Sequence, residues 1–271
     1  MSLRINTNVA ALNAYNNLST NQSRLENAFG QLSSGLRINK AADDAAGLSI
    51  SQGLTSQING LTQAVSNAQD GINVAQIADG ALGTAQQILQ RMRTLAVQAS
   101  NSGSNDTAAL TAAQSEVTQL NAQLDNISNQ TAFGGTKLLD GTYTAKVFQV
   151  GANSGDTISL SLTKSDSTTL GVNGVDLTTG ASAAIGTIDL AIAAVSASRS
   201  DIGATQNQLN YTVSNLNTAI QNVTASRSNI TDADLATQVT AMTQSQILTQ
   251  AATSILAQAN SAPQAILKLL Q

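Results

Sequence analysis

The feature that most limits what this chain can become is a long apolar repeat in its C-terminal half. Ile188, Ile192, Val195, Arg199, Ile202, Gln206, Leu209, Val213, Leu216, Ile220, Val223, Arg227 and Ile230 follow one another at alternating spacings of four and three. That spacing marks an α-helix that packs one stripe against other helices. At 1.5 Å per residue the helix is roughly 65 Å long. A rod of that length cannot cover its own stripe, so further long helices must lie beside it.

Upstream segments supply them. Ala11, Tyr15, Leu18, Gln22, Leu25, Phe29, Leu32 and Leu36 repeat the spacing, and so do Leu54, Ile58, Leu61, Val65, Ala68, Ile72 and Ala75. A third run is Leu110, Ala113, Val117, Leu120, Leu124 and Ile127. Between the last two, "ALGTAQQILQRMRTLAVQASN" continues the helix with Leu82, Leu89, Met92 and Leu95 inward, as far as the breaker "NSGSND" at 101–106. The isolated polar members of these seams (Gln22, Arg199, Gln206, Arg227) set register or reach a neighbour.

The stretch 131–186 has a different pattern. "TAKVFQV" and "TISLSLT" are strand-like, the second alternating Ile158, Leu160 and Leu162 with Ser and Thr, and "GANSGD" between them suits a hairpin. "GTKLLDG" has glycines but no phosphate-binding pattern and reads as a turn. The expected fold is mainly α: long coiled-coil-like helices pairing the N- and C-terminal segments, with a small β-hairpin insert in the middle.

Two interruptions divide the helices. "INKAADDAAGLS" (38–49) breaks the first arm and "SNITDADLA" (228–236) breaks the last helix, where Thr231 and Asp234 have capping-box spacing. Asp43 and Asp44 sit among alanines and read as helix caps rather than as a pair of catalytic carboxylates. The arms outside the two breaks are of nearly equal length, which predicts that they pair side by side. The expected divisions are 1–45 and 231–271 as two arms of an inner core, 46–186 as rod helices plus the hairpin region, and 187–230 as the long C-terminal rod helix.

Composition narrows function. Charged residues are 10% and aromatic residues 2%, with 42% apolar overall, so Ser, Thr, Asn and Gln take the place of the usual charges. The formal net charge of −4 and twelve scattered basic residues do not suit capture of nucleic acid. There is no Cys and no His, which removes thiolate chemistry, the usual general base and the usual metal ligand. No enzyme, cofactor or metal is expected. "MSLRINTNVAALNAY" lacks an apolar signal core, and no continuous apolar run is long enough to span a membrane.

The segment 248–271 carries Leu248, Ile255, Leu256, Ile266, Leu267, Leu269 and Leu270. Pattern alone allows it to be half of a core helix pair on one globular domain. Energetics favours another reading. Each large aliphatic side chain buried contributes about 1.5–3 kcal/mol, whereas each ordered residue costs about 1–2 kcal/mol in backbone entropy. Large apolar residues are well under half of the segment, so it should order only where several copies share a core. That points to a polymer. Ser261 and Gln264 around Pro263 could start a new short helix, but Leu248, Ala252, Ile255, Ala259, Ala262, Ile266 and Leu269 keep their spacing across it. A single helix kinked at Pro263 is expected.

At both ends these residues resemble bacterial flagellin. "LRINTNVAALNAY", "LSSGLRINKAADDAAGLSIS", "DGINVAQIADGAL", "LQRMRTLAVQASN" and "TAFGGTKLLDG" are similar to successive segments of that family. So are "RSDIGATQNQLNYTVSNL" and "DADLATQVTAMTQSQILTQAATSILAQANSAPQAILKLL". The resemblance implies a structural subunit of the bacterial flagellar filament, exported through the flagellar type III apparatus to the outside of the cell. It implies self-assembly into a helical homopolymer, an export chaperone on the C-terminal arm, and cap and junction proteins as partners, with no nucleic acid and no membrane. The polymerisation interface is then expected at Tyr15, Leu18, Leu25, Phe29, Leu32, Leu36, Leu248, Ile255, Ala259, Ile266 and Leu269. Some members of the family are read by a host Toll-like receptor, and Gln90, Arg91, Leu95 and Glu116 stand at the matching positions. Thr94 replaces a Glu common in the family, and Asn229 an Arg. Two other readings of the chain are a hook–filament junction protein and a cytoplasmic signalling helical bundle.

Overall fold

The computed structural model describes residues 7–101, 103 and 105–269, with 262–269 followed through their backbone. In chain order the elements are α1 (Val9–Ser34), α2 (Ala45–Ala99), α3 (Thr107–Gln130), β1 (Ala132–Phe133), β2 (Thr136–Lys137), β3 (Lys146–Gln149), β4 (Thr157–Leu160), α4 (Ala181–Thr231) and α5 (Leu235–Leu269). The expected fold class holds: long helices pair the terminal segments, and the strands are confined to the middle. The chain forms two compact units, one of Met1–Ser56 with Asn222–Gln271 and one of Gln57–Gln221.

In the 57–221 unit the heptad spacing sets the core. Leu61, Ala68, Ala75, Leu82 and Leu89 of α2 are buried seven residues apart, and so are Ile188, Val195, Ile202, Leu209 and Leu216 of α4. Val117 and Leu124 of α3 join them. α4 also contains a window with mean hydropathy 1.5, long and apolar enough to cross a membrane by length and composition alone. Its inward stripe is instead part of this core. Arg199, a polar member of that stripe, reaches across to Asp79 at 2.8 Å and to Gln86 at 2.7 Å.

The predicted hairpin is present: β3 and β4 pair antiparallel, with Phe148 opposite Ile158. Ile158, Leu160 and Leu162 are all buried, as the alternation requires. Phe148 and Ile158 pack with Ala68 and Leu209, and Gly71 permits the approach, since a Cβ there would lie 3.2 Å from Leu209 and 3.3 Å from Phe148. A second hairpin, β1–β2, turns on Gly134 and Gly135, both at positive φ (55° and 84°), which suits a tight two-residue turn. The loop that follows β4 is pinned by polar side chains of α3. Gln114 donates to the Val175 carbonyl at 3.0 Å and accepts from the Leu177 N–H at 2.7 Å, while Asp125 accepts from the Ser167 N–H at 2.8 Å.

Candidate assembly surface

The unit built from the two chain ends holds the residues singled out for assembly. α1 and α5 run antiparallel. Asn8, just before α1, meets Ala259 near the far end of α5, whereas Ala28 and Gln31 lie alongside Gln238 and Ser245. The facing side chains are small. Ala14, Ala28, Ser245 and Ala252 are buried at 6–7% exposure, which lets the two backbones approach closely; Ala11, Leu18, Leu25, Leu32, Met242, Leu256 and Ala259 are half-buried around them.

This register differs from the one expected for α1. Ala11, Leu18, Leu25 and Leu32 do face α5, but their companions in the seam are Ala14, Asn21 and Ala28. Tyr15 (59% exposed), Phe29 (63%) and Leu36 point outward. Tyr15 and Phe29, together with Leu12, make a second stripe along α1, through Ser19, Gln22 and Glu26, all exposed, while Leu36 lies just beyond the end of the helix. On α5, Leu235, Val239, Ile247, Leu248 and Ile255 are likewise exposed. The side chains of Ile266 and Leu269 lie outside the described residues.

Both helices are closed by their own chemistry. The Asn8 Oδ1 atom accepts from the Ala11 N–H at 3.1 Å and so caps α1. At the other end Gly35 adopts φ 70°, and its N–H bonds the Gln31 carbonyl. α5 runs unbroken to Leu269 with Pro263 inside it, in keeping with the single helix expected there. A proline has no N–H to give to the carbonyl four residues back, which here is Ala259. Asn8 Nδ2 donates to that carbonyl at 2.8 Å, so the acceptor is satisfied from α1.

The two interruptions meet as a short antiparallel connection. Arg37 N–H bonds the Thr231 carbonyl at 2.7 Å, Ala233 N–H bonds the Gly35 carbonyl at 2.9 Å, and the Arg37 guanidinium donates twice to the Ile230 carbonyl. Asp44 caps α2 through the Gly47 N–H at 2.8 Å, and Asp43 Oδ2 accepts from the N–H groups of Asn39 and Lys40. Those bonds, Lys40 first, hold the Asp43 carboxyl below its ordinary range. α5 is capped by Asp234, which accepts from the Ala236 N–H and the Thr237 hydroxyl. Thr231 takes no part in a capping box; its hydroxyl donates back to the Arg227 carbonyl.

In the other unit, Arg91 and Glu116 form a two-pronged ion pair at 2.7 and 3.1 Å on the surface, which raises the Arg91 pKa through the hydrogen bond and the charge. Gln90 is exposed beside them. Leu95, grouped with these three by sequence, is instead buried at 3% in the core: its position on α2 faces the inward stripe. Arg93 pairs with Asp189 at 2.6 Å on the same helix's outer side, a bond between distant residues for which the sequence held no signal. Among the described residues no cluster of acidic side chains is arranged to hold a metal ion.

Known proteins match this arrangement along its length. Residues 5–144 match the family model for the bacterial flagellin N-terminal helical region, and 185–270 match the model for the C-terminal helical region. The chain is 43% identical to flagellin of Bacillus subtilis, over 99% of this chain and all of that one. It is 46% identical to flagellin of Halalkalibacterium halodurans, over 98% and 99%. The crystal structure of Bacillus cereus flagellin superposes with a TM-score of 0.50 at 31% identity, covering 56% of this chain and 88% of that one. Nothing in these matches favours a junction protein or a signalling bundle. A chain whose two ends pair into one unit, and whose both ends match the two halves of a single family over nearly their full length, belongs to the bacterial flagellins and is a structural subunit of the flagellar filament.

Proposed function

We propose that the α1–α5 unit is where subunits join. The exposed apolar side chains Tyr15, Phe29, Leu36, Leu248 and Ile255 would bury against neighbouring copies, with Leu18, Leu25, Leu32 and Ala259 completing the core between the helices, and Ile266 and Leu269 extending it. The observation that carries this reading is that a two-helix unit leaves its largest side chains outside. Phe29 and Tyr15 are 63% and 59% exposed while its buried seam is alanine and serine. Self-association removes that apolar area from water. On this reading 1–45 and 231–271 form the inner polymerisation core, 46–186 supplies rod helices with the hairpin region and 187–230 the long C-terminal rod helix, and the chain works by rigidity rather than by catalysis. The filament lies outside the cell. An export chaperone covers the C-terminal arm beforehand, and cap and junction proteins meet the same arms at the filament ends. Gln90, Arg91 and Glu116, supported from beneath by Leu95, form the face that a host Toll-like receptor would read.

Seeded growth tests the reading. Full-length protein, dissociated by heat and supplied with short filament seeds, should elongate them under electron microscopy. A chain lacking 248–271 should stay soluble and fail to elongate. Normal filaments from the truncated chain would overturn it.

A further inference from the structure

The α1–α5 pair is nearly uncharged, and its two charges on α1 are placed unusually. Arg24 and Glu26 are the only charged residues of α1, and 235–261 of α5 has none. Both are exposed, and among the described residues neither has an ion-pair partner. Two residues apart on a helix, they point to opposite sides and so cannot pair within one chain. Arg24 lines a cleft of about 300 Å³ between α1 and α5, with Asn27, Gln31, Gln238, Gln244 and Ser245. Glu26 stands on the outward stripe, one helical turn before Phe29 and on the same face.

A filament grows through a heterologous contact, in which one patch of a subunit meets a different patch of the next. The cleft and the stripe are two such patches on one helix. One is polar and cationic, and the other carries a carboxylate beside the Phe29 ring. We propose that the outward stripe of α1 in one subunit seats on the α1–α5 cleft of a neighbouring copy, with Glu26 paired to Arg24 across the contact. The occupant is a second copy of this chain, because the complementary charge lies on this chain's own opposite face. The inference rests on the reading that the α1–α5 unit is where subunits join. A buried charge pair at such a contact fixes register and rejects wrong partners, since like charges set opposite each other are strongly unfavourable.

The test is charge exchange in full-length protein. R24E alone and E26R alone should each slow seeded elongation by roughly tenfold or more. Each variant should keep the wild-type far-ultraviolet circular dichroism as a monomer, because both positions are exposed. An equal mixture of the two single variants should recover elongation, since each carries the charge that the other's altered position requires, and so should the double variant. Single variants that elongate like wild type would overturn the pairing. So would impaired single variants whose mixture gains nothing, which would place the effect inside each monomer. Wild-type elongation in the same experiment separates the two ideas: failure of wild type to grow defeats the assembly reading itself, while failure of the exchange defeats only the pairing.

Discussion

The Asn8 side-chain amide donates to the Ala259 carbonyl at 2.8 Å, across 251 residues of sequence. Ala259 is the residue whose carbonyl Pro263 leaves without its helical N–H. The same Asn8 side chain caps α1 through the Ala11 N–H. One residue therefore starts the first helix and repairs the last, and it holds the two arms at a fixed register.

This relationship predicts a non-additive pair of substitutions. Asn8→Asp keeps the cap but removes the amide donor, leaving the Ala259 carbonyl unbonded, at a cost of about 0.5–1.5 kcal/mol. Pro263→Ala restores a backbone N–H and makes the donor redundant. Hydrogen exchange on the monomer should show faster exchange around Ala259 in Asn8→Asp with Ala11 unchanged, and a smaller effect of the same change in the Pro263→Ala background. Equal effects in both backgrounds would show that Asn8 serves α5 in no way connected with Pro263.

At the start of α2, Gly47 is required by its surroundings rather than by its backbone angles. A Cβ there would collide with the Asp44 carboxylate and lie 2.8 Å from Ile38 Cδ1, and Ile38 is buried. Gly47→Ala should therefore disturb the Asp44 cap and cost about 1–3 kcal/mol. Gly53, two turns on, has nothing near its missing Cβ, so Gly53→Ala should stabilise the same helix by about 0.5–1 kcal/mol. Amide exchange at Gly47 and Leu48 reads both changes.

The contrast between the two units explains what sequence reasoning reached. In α2, α3 and α4 most seam positions carry Leu, Ile or Val, with Ala68 and Ala75 among the exceptions, so Leu61, Val117, Ile188 and Leu209 could be placed inward from spacing alone. In α1 the seam against α5 is made of Ala14, Asn21 and Ala28 alternating with Leu18 and Leu25. The aromatic side chains Tyr15 and Phe29 fit the four–three count equally well but are too bulky for two helices packed through alanine. Size, not spacing, settles that register. "GTKLLDG" (135–141) reads as a turn from its glycines, but the turn lies at Gly134–Gly135 and Thr136–Lys137 form a strand; two-residue strands carry too short a pattern to show. Pairings such as Arg93 with Asp189 depend on the folded approach of distant segments. For that reason spacing alone does not divide α1 into a face toward α5 and a face toward solvent.

That division of inward and outward positions in α4 can be checked directly. Leu209 is fully buried and Leu190 is 74% exposed. Leu209→Ala should cost about 2–5 kcal/mol through lost burial and the cavity left behind, lowering the thermal midpoint of the monomer. Leu190→Ala should change stability by no more than about 0.5 kcal/mol. Equal costs at the two positions would mean that the α4 stripe is rotated.

Acid should act on the loop that leads into α4. Asp176 accepts from the hydroxyls of Thr178 and Thr179 and from the Thr178 N–H, and these bonds lower its pKa to about 2. Burial would raise the Asp166 carboxyl, but hydrogen bonds from Lys164 and Thr169 and the Lys164 charge outweigh it, and this group too titrates at about 2. Both carboxyls start from an ordinary value of 3.8, so the folded state favours their ionised forms. Their contribution to stability is complete above that value and is lost as pH falls through the interval from 3.8 to about 2. Thermal melting of the monomer across this interval should show a steep loss of stability in wild type. Asp166→Asn and Asp176→Asn should be less stable at neutral pH and flatter below about pH 4, because the titrating group is gone. An unchanged acid slope in both variants would assign acid lability to other carboxyls, with Asp43, Asp232 and Asp234 of the joint between the arms, each also held below its ordinary value, as the next groups to replace.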